Sequence, residues 1–168
     1  DGIHSLQLHQ HRLYAEQASQ LDQLRQQVHT DTLTGLPNRR HFLSRLEAVL
    51  ADGGGPDGVG LLLVRLKDLQ GMNQRIGHNS ADHVLQALAQ ALQAYTARID
   101  RCFAGRLNGS DFALLLPVGG LASETASALL RALRQPLAQI DASASVSAGA
   151  VELNGPLTAT SALALADA

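Results

Sequence analysis

Apolar and polar positions divide the chain into a polar helical segment and a longer part with the pattern of a folded core. Residues 4–30 contain neither Gly nor Pro and are rich in Gln. Apolar side chains recur there at three- and four-residue steps, at Tyr14, Ala18, Leu21, Leu24 and Val28. Such a narrow stripe is typical of a two-stranded coiled coil, and about 27 helical residues make a rod of roughly 40 Å. The pattern predicts a linker helix over residues 1–30 that forms a homodimer, with a frayed chain end as the alternative.

Beyond residue 31 the apolar positions follow shorter runs with helix or strand periods. Asn38 is a good N-cap for a helix that ends near residue 51. Residues 59–66 are almost continuously apolar, which predicts a strand covered on both faces. The other elements predicted from these patterns are a helix at 80–97, strands at 101–107 and 112–116, a helix at 121–134 ended by Pro136, a strand at 143–153 and a helix from about 160.

The two strands in the middle of the chain predict a hairpin around Arg106-Leu-Asn-Gly-Ser-Asp-Phe112. Asn108-Gly109 is a favoured pair for a type I′ turn, which requires two residues with positive φ. The predicted order is then β-α-β-β-α-β with an added N-terminal helix. This order indicates an α+β, ferredoxin-like fold of the nucleotidyl cyclase and polymerase palm type. Its central antiparallel-mixed sheet would be flanked by helices and preceded by the coiled-coil helix.

Composition narrows the classes of function. The 168 residues suffice for one domain that buries roughly 70% of its unfolded surface. A net charge of −2 gives no reason to expect a nucleic-acid partner. The chain has one cysteine, which fits a reducing compartment, and no run approaches the ~20 apolar residues of a membrane span. We therefore expect a cytoplasmic domain, and any membrane attachment would lie outside these residues.

Four short motifs follow one another along the chain. They are Asp31-Thr-Leu-Thr-Gly-Leu-Pro-Asn-Arg-Arg40, then Asn73, then Gly77-His78 with Asp82, and finally Asn108-Gly-Ser-Asp-Phe112. Together these motifs resemble the GGDEF domain, the family that makes cyclic di-GMP from two molecules of GTP. The resemblance covers residues 31–168, and the family's last element would lie beyond Ala168. The expected organisation is a linker helix at 1–30 and a GGDEF domain at 31–168 with its C-terminal end truncated.

The resemblance implies that the metal-binding and triphosphate-binding residues of the first strand and the turn after it have been replaced. The family's metal-binding Asp aligns with Arg65, its second first-strand Asp with Lys67, and its triphosphate-binding Lys with Gln70. The register is fixed because Asn73 and the motifs after it match without a gap. Asp68 therefore cannot be shifted into the metal position.

The hairpin carries a second set of substitutions. Asn108-Gly109-Ser110-Asp111 stands where the family has Gly-Gly-Asp/Glu-Glu, so Ser110 replaces the metal-binding acid and Asp111 replaces the Glu. Joining two nucleotides by phosphoryl transfer requires carboxylates that hold two Mg²⁺ ions on the triphosphate. One acid survives, and Arg65 places a fixed positive charge where a dication would bind. The resemblance therefore implies no intact catalytic set and no metal, and we expect Arg65 to pair with Asp111 directly or through water.

The pair that recognises guanine in the family is present. Asp82 can accept from the N1–H and N2–H groups of guanine, and Asn73 offers both a donor and an acceptor. The alternative is structural: Asn73 would cap its loop and Asp82 would cap the helix at 80–97. Bound Mg²⁺ and GTP are expected only if residual nucleotide binding survives. The family's inhibitory product site, Arg-x-x-Asp, is missing, because Ile99-Asp-Arg-Cys102 stands there.

Other candidate ligands favour structural roles. His4, His9 and His11 lack the i, i+4 spacing of a helical metal site. His78 is expected to make a structural hydrogen bond in its Gly-His turn. Cys102 is expected to act as a small apolar residue in a strand.

These observations favour a catalytically inactive GGDEF domain that acts as a relay or regulatory module in cyclic di-GMP signalling. By resemblance, it would stand between a coiled-coil linker and a downstream EAL domain in an inner-membrane protein. Two alternatives stay open. One is an active diguanylate cyclase that uses Asp111 with unusual ligands, and the other is a domain that senses GTP without turning it over.

Overall fold

The computed structural model describes residues 15–21, 29–53, 57–154 and 158–167. Residues 15–21 and His29 are helical, and the Leu21 side chain is 55% exposed. Most of the predicted linker helix, including Tyr14, Leu24 and Val28, lies outside the described residues, as do His4, His9 and His11. The coiled coil therefore stays a prediction. No helix in the described ranges combines the length and apolarity needed to cross a bilayer.

From residue 39 onward the described chain alternates helices and strands in the predicted order. The elements are α1 (Arg39–Ala51), β1 (Val59–Leu66), α2 (Leu69–Arg98), β2 (Phe103–Arg106), β3 (Asp111–Leu116), α3 (Ala122–Ile140), β4 (Val146–Leu153) and α4 (Ala159–Asp167). The N-cap of α1 is the predicted one, because the Asn38 side chain accepts a hydrogen bond from the amide of His41. The α+β fold expected from the sequence is confirmed.

The sheet has the strand order β2-β3-β1-β4. All three of its pairings are antiparallel, so the expectation of mixed character is wrong for the described sheet. The reason lies in the crossovers. Strands β1 and β2 run parallel to each other, as a helical crossover requires, but β3 lies between them; β1 likewise separates β3 from β4.

Strand β1 lies between two hydrophobic layers, one on each face of the sheet. Leu62, Val64 and Leu66 point toward α2 and α3, and Leu61 and Leu63 point toward α1 and α4. Successive side chains of a strand face opposite sides of the sheet, which is why a continuous apolar run is needed here. The predicted burial of this strand on both faces is confirmed.

Helix α2 begins at Leu69 and is broken at Gly77, and the part after the break contains the helix predicted at 80–97. Asp68 adopts a left-handed conformation (φ 53°) and caps the helix by accepting from the amide of Gly71 at 3.1 Å. Gly77 interrupts the helix with φ 83° and ψ 161°. The positive φ explains why a glycine occupies this position.

Helix α3 continues through Pro136 to Ile140, so the prediction that proline ends it is wrong. Pro136 is exposed, whereas Leu133 and Leu137 are buried in the core. Burial of Leu137 favours continuation even though proline removes one helical hydrogen bond. Strand β4 starts at Val146 instead of 143, because the residues before it form a turn in which the Asp141 side chain accepts from the amide of Ser143 at 3.0 Å.

Candidate functional site

The end of β1 and the start of β3 bring Arg65 and Asp111 together. The two residues are direct cross-strand partners in the antiparallel ladder. Nε of Arg65 donates to Oδ1 of Asp111 at 2.7 Å, and Nη2 donates to Oδ2 at 3.1 Å. This is the bidentate geometry that matches a guanidinium to a carboxylate. The predicted pairing of Arg65 with Asp111 is confirmed.

A third charged residue completes this cluster. Nη2 of Arg65 also donates to Oδ1 of Asp167, the last residue of α4, at 3.2 Å. Arg65 thereby connects β1, β3 and the final helix. Sequence reasoning missed Asp167, whose only signal was being the single acid in the otherwise uncharged helix Ala159–Asp167.

The charges of Arg65 and its acidic partners stabilise one another. Hydrogen bonding to Arg65 is the largest cause of a lowered Asp111 pKa, and it outweighs the burial that would raise it. The same contacts with Asp111, reinforced by Asp167, raise the pKa of Arg65. Arg65 and Asp111 are therefore both charged near neutral pH, so the Arg65 charge is already neutralised for an incoming phosphate.

The hairpin turn differs from the predicted type I′ turn. Strand β2 ends at Arg106 and β3 begins at Asp111, which leaves a loop of residues 107–110. Neither Asn108 nor Gly109 has a positive φ. The Asn108 side chain closes the loop instead, because its Oδ1 accepts from the amides of Ser110 and Asp111, both at 3.0 Å. A local side-chain hydrogen bond of this kind competes with the backbone turn that propensity favours.

Asn108 also forms a hydrogen bond with the carboxylate of Asp111. Its Nδ2 donates to Oδ2 of Asp111 at 2.8 Å. The carboxylate therefore accepts three side-chain hydrogen bonds, two from Arg65 and one from Asn108, out of about four lone-pair sites. Hydrogen bonds from Arg65 and Asn108 therefore use most of the lone pairs with which the Asp111 carboxylate could bind a cation.

The remaining substituted positions supply no replacement ligands. The side chains of Lys67 and Gln70 are exposed, and Ser110 is half-buried. Within the described ranges, no group of three or more His, Cys, Asp or Glu side chains is placed to hold a metal ion. Arg65, Ser110 and Asp111 do not fit a magnesium site, because this set pairs one engaged carboxylate with a hydroxyl and a cation.

Asn73 and Asp82 lie on α2, on either side of the break at Gly77. Both are half-buried. Neither side chain makes a hydrogen bond within the part of the chain that the structure describes, and Asp68 caps the part of α2 that precedes the break at Gly77. The predicted capping roles of Asn73 and Asp82 are therefore wrong, and their polar atoms are free to meet a ligand.

The Gly-His turn also differs from expectation. A Cβ atom on Gly77 would meet nothing within 4 Å, so the break in α2 faces open space. The His78 side chain is exposed and makes no hydrogen bond among the described residues, so its predicted structural bond is wrong.

A second arginine ties the hairpin to the start of the domain. Nη1 of Arg106 donates to both carboxylate oxygens of Asp31, at 3.2 and 3.1 Å. The same guanidinium donates to the carbonyls of Gly109 at 2.8 Å and of Asn108 at 3.2 Å. Burial opposes ionisation of Asp31, but hydrogen bonds from Thr34 and Arg106 lower its pKa overall. The sequence motif that begins at Asp31 drew attention to that residue, but nothing in the sequence indicated that Arg106 would be its partner.

Cys102 lies at the place of the missing product site. It is buried directly before β2, not within a strand, and burial raises the pKa of its thiol to about 11. It packs with the core as a small apolar residue, as expected.

An antiparallel β2-β3-β1-β4 sheet flanked by helices, with a hairpin turn opposite the end of the central strand, defines a palm-type fold of the nucleotidyl cyclase class. The family described as "Diguanylate cyclase, GGDEF domain" matches residues 28–168. The chain belongs to this family.

Relatives of known name support the assignment. Diguanylate cyclase DgcP of Pseudomonas aeruginosa is 36% identical over 124 residues, which cover 71% of this chain and 17% of DgcP. Diguanylate cyclase TpbB of the same species is 32% identical over 145 residues, which cover 84% of this chain and 32% of TpbB. The chain therefore spans less than a third of either relative.

A solved structure shares the fold over nearly the whole chain. It is the coiled coil and GGDEF domain of DgcB from Caulobacter crescentus in complex with c-di-GMP. The TM-score is 0.82 at 23% identity, and the match covers 99% of this chain and 91% of the DgcB chain.

Proposed function

We propose that this GGDEF domain does not synthesise cyclic di-GMP and acts as a relay or regulatory module in cyclic di-GMP signalling. The observation that supports the proposal is the bidentate pair between Arg65 and Asp111. By family resemblance, position 65 holds an acid that binds the metal, and position 111 holds the Glu that follows the second metal-binding acid. Here position 65 is a cation, and its guanidinium is hydrogen-bonded to the carboxylate at position 111.

The chemical consequence is a loss of electrostatic stabilisation. Phosphoryl transfer depends almost entirely on positioning and on charge stabilisation by metal ions. A dication at Asp111 would have to displace Arg65 and then remain close to its guanidinium. The substitutions at Gln70 and Ser110 remove a further cation and a further acid from the set that the family uses.

The relay role rests on the position of the domain in the chain. The linker helix would supply dimerisation through residues 14–30, and a downstream EAL-type domain would receive the signal, as the resemblance implies. We place such a protein at the inner membrane with this domain in the cytoplasm.

A turnover assay tests the loss of synthesis. The purified chain is incubated with GTP and Mg²⁺ or Mn²⁺, and products are separated by chromatography, with TpbB as the positive control. We expect no metal-dependent dinucleotide from this chain. Metal-dependent product that disappears in the Asp111→Ala variant would establish an active cyclase with unusual ligands and overturn the proposal.

A second candidate function is guanine-nucleotide sensing without turnover. The polar side chains of Asn73 and Asp82, which make no hydrogen bond among the described residues, favour it, and so does the open space around Gly77, which lies between them in the sequence. A base pocket without phosphate contacts is expected to bind weakly and to select the base over the phosphates.

Competition with a fluorescent GTP analogue tests this second candidate. GTP and GMP should compete equally well and ATP poorly. Asp82→Ala should abolish binding, while the matched control Asp100→Ala, an exposed acid in the turn before β2, should not. Equal competition by ATP and GTP would reject guanine sensing.

A further inference from the structure

Two histidines touch where the linker helix meets the domain. The rings of His29 and His41 have centroids 4.8 Å apart and planes inclined at 46°. His29 is a helical residue that precedes the turn at residues 31–37, and His41 lies in the first turn of α1. The contact therefore joins two elements that the turn at residues 31–37 separates.

Hydrogen bonds made by the backbone groups of both histidines hold them to a common neighbour, Asn38. The amide of Asn38 donates to the carbonyl of His29 at 2.8 Å. The amide of His41 donates to the Asn38 side chain at 3.0 Å. Asn38 therefore holds both backbones, and the two histidine backbones cannot move apart without the loss of one of these two bonds.

The charges that act on His41 are cationic. They come from His29 and from Arg45, one turn further along α1, whose guanidinium lies 4.2 Å from the centre of the Phe103 ring. The acid of the intervening turn, Asp31, is engaged by Thr34 and Arg106. Within the described part of the chain, a proton on His41 therefore gains no carboxylate partner.

We propose that the His29–His41 contact is a pH-sensitive joint between residue 29 and the first turn of α1, closed when the His41 imidazole is neutral and opened when it is protonated. The reason is that a proton on His41 places a positive charge against a second imidazole and near the Arg45 guanidinium, with no carboxylate among the described residues to compensate for it. This inference goes beyond the relay role and does not depend on it, because it concerns how the joint itself responds to protons.

The direction of the titration agrees with this geometry. Burial first, and then the charges of His29 and Arg45, lower the pKa of His41 from its usual 6.5. A base whose pKa is lowered in the closed state stabilises that state above its usual pKa. The stability that neutral His41 gives to the closed state is lost as the pH falls below 6.5. Acidification therefore opens the joint.

Titration of the histidine rings by NMR tests the coupling in the full chain. The pKa of His41 should lie below 6.5 and should rise toward it in the His29→Gln variant. The control His83→Gln, which changes an exposed ring on α2, should leave His41 unaffected. An unchanged His41 titration in the His29→Gln variant overturns the proposal.

Amide hydrogen exchange tests the opening in the unmodified protein. Between about pH 7.5 and 5.5, the protection factors of the Asn38 and His41 amides should fall, while those of β1 stay constant. The expected fall is about tenfold for each pKa unit by which His41 titrates below its usual value. Constant protection of both amides across the His41 titration overturns the proposal even if every variant fails to fold.

Discussion

Replacing Arg65 with Asp is expected to create metal affinity that the native chain lacks. The substitution Arg65→Asp removes the guanidinium from both oxygens of Asp111 and from Asp167. It also places two carboxylates opposite each other across the β1–β3 ladder, because residues 65 and 111 are direct partners. Paired carboxylates are the ligands that Mg²⁺ and Mn²⁺ prefer.

The size of the effect follows from charge and exposure. A guanidinium about 4 Å from a dication costs roughly 8 kcal/mol at an effective dielectric constant of about 20. The Arg65 side chain is 48% exposed, so solvent screening reduces this to about 2 kcal/mol, twice the value of an exposed unit pair. That difference corresponds to roughly a 30-fold gain in affinity. The added carboxylate increases the gain further.

Stability should change little in comparison. The Arg65–Asp111 pair is partly exposed and contributes at most about 1 kcal/mol. Because Arg65 lowers the pKa of Asp111 from its usual 3.8, this contribution is present above that pH and is lost as the pH falls through the lowered value. The variant should therefore lose part of the acid dependence of native unfolding.

Mn²⁺ titration followed by electron paramagnetic resonance measures the affinity directly. Arg131→Asp is the matched control, since it makes the same charge change on an exposed position of α3. We expect binding in the Arg65→Asp variant, and weak or no binding in the native chain and the control. Equal Mn²⁺ affinity in the native chain and the Arg65→Asp variant would refute the account of a blocked site.

Three further outcomes are expected. Gly105→Ala should destabilise the fold by about 1–3 kcal/mol in urea unfolding, because its Cβ would lie 2.6 Å from that of Phe42; Gly109→Ala, whose nearest neighbour is 3.8 Å away, should not. Cys102 should react with thiol reagents near pH 8 only as fast as the domain unfolds, since burial holds its pKa at about 11; rapid labelling of the folded protein would contradict this. Sedimentation should show weak, concentration-dependent dimers for residues 1–168 but not for 31–168, and equal association of both would exclude the linker helix as the interface.

The sequence was sufficient to predict features that depend on local pattern or on alignment with the family. The apolar run of β1 and the Asn38 cap follow from hydrophobic spacing and capping chemistry. The pairing of Arg65 with Asp111 followed from register, because an alignment places both residues even where their types have changed.

Features decided by competing interactions were not predictable in this way. The Asn108 side chain replaces a type I′ turn, and burial of Leu137 outweighs the breaking tendency of Pro136. Asp167 reaches Arg65 from more than 100 residues away in sequence. Each of these depends on which contact is stronger in the folded state, and local propensity does not report that balance.

The strand order also determines when the domain can fold during synthesis. Strand β1 pairs with β4, and the partners Leu66 and Val146 are 80 residues apart in the chain. At roughly 5–20 residues per second, several seconds pass between their emergence from the ribosome. In that interval the backbone of the apolar segment Val59–Leu66 lacks its pairing with β4, and the face of the strand that α4 covers in the folded domain is exposed. The nascent chain is therefore most exposed to aggregation before residue 146 is made, and premature termination there leaves the central strand open.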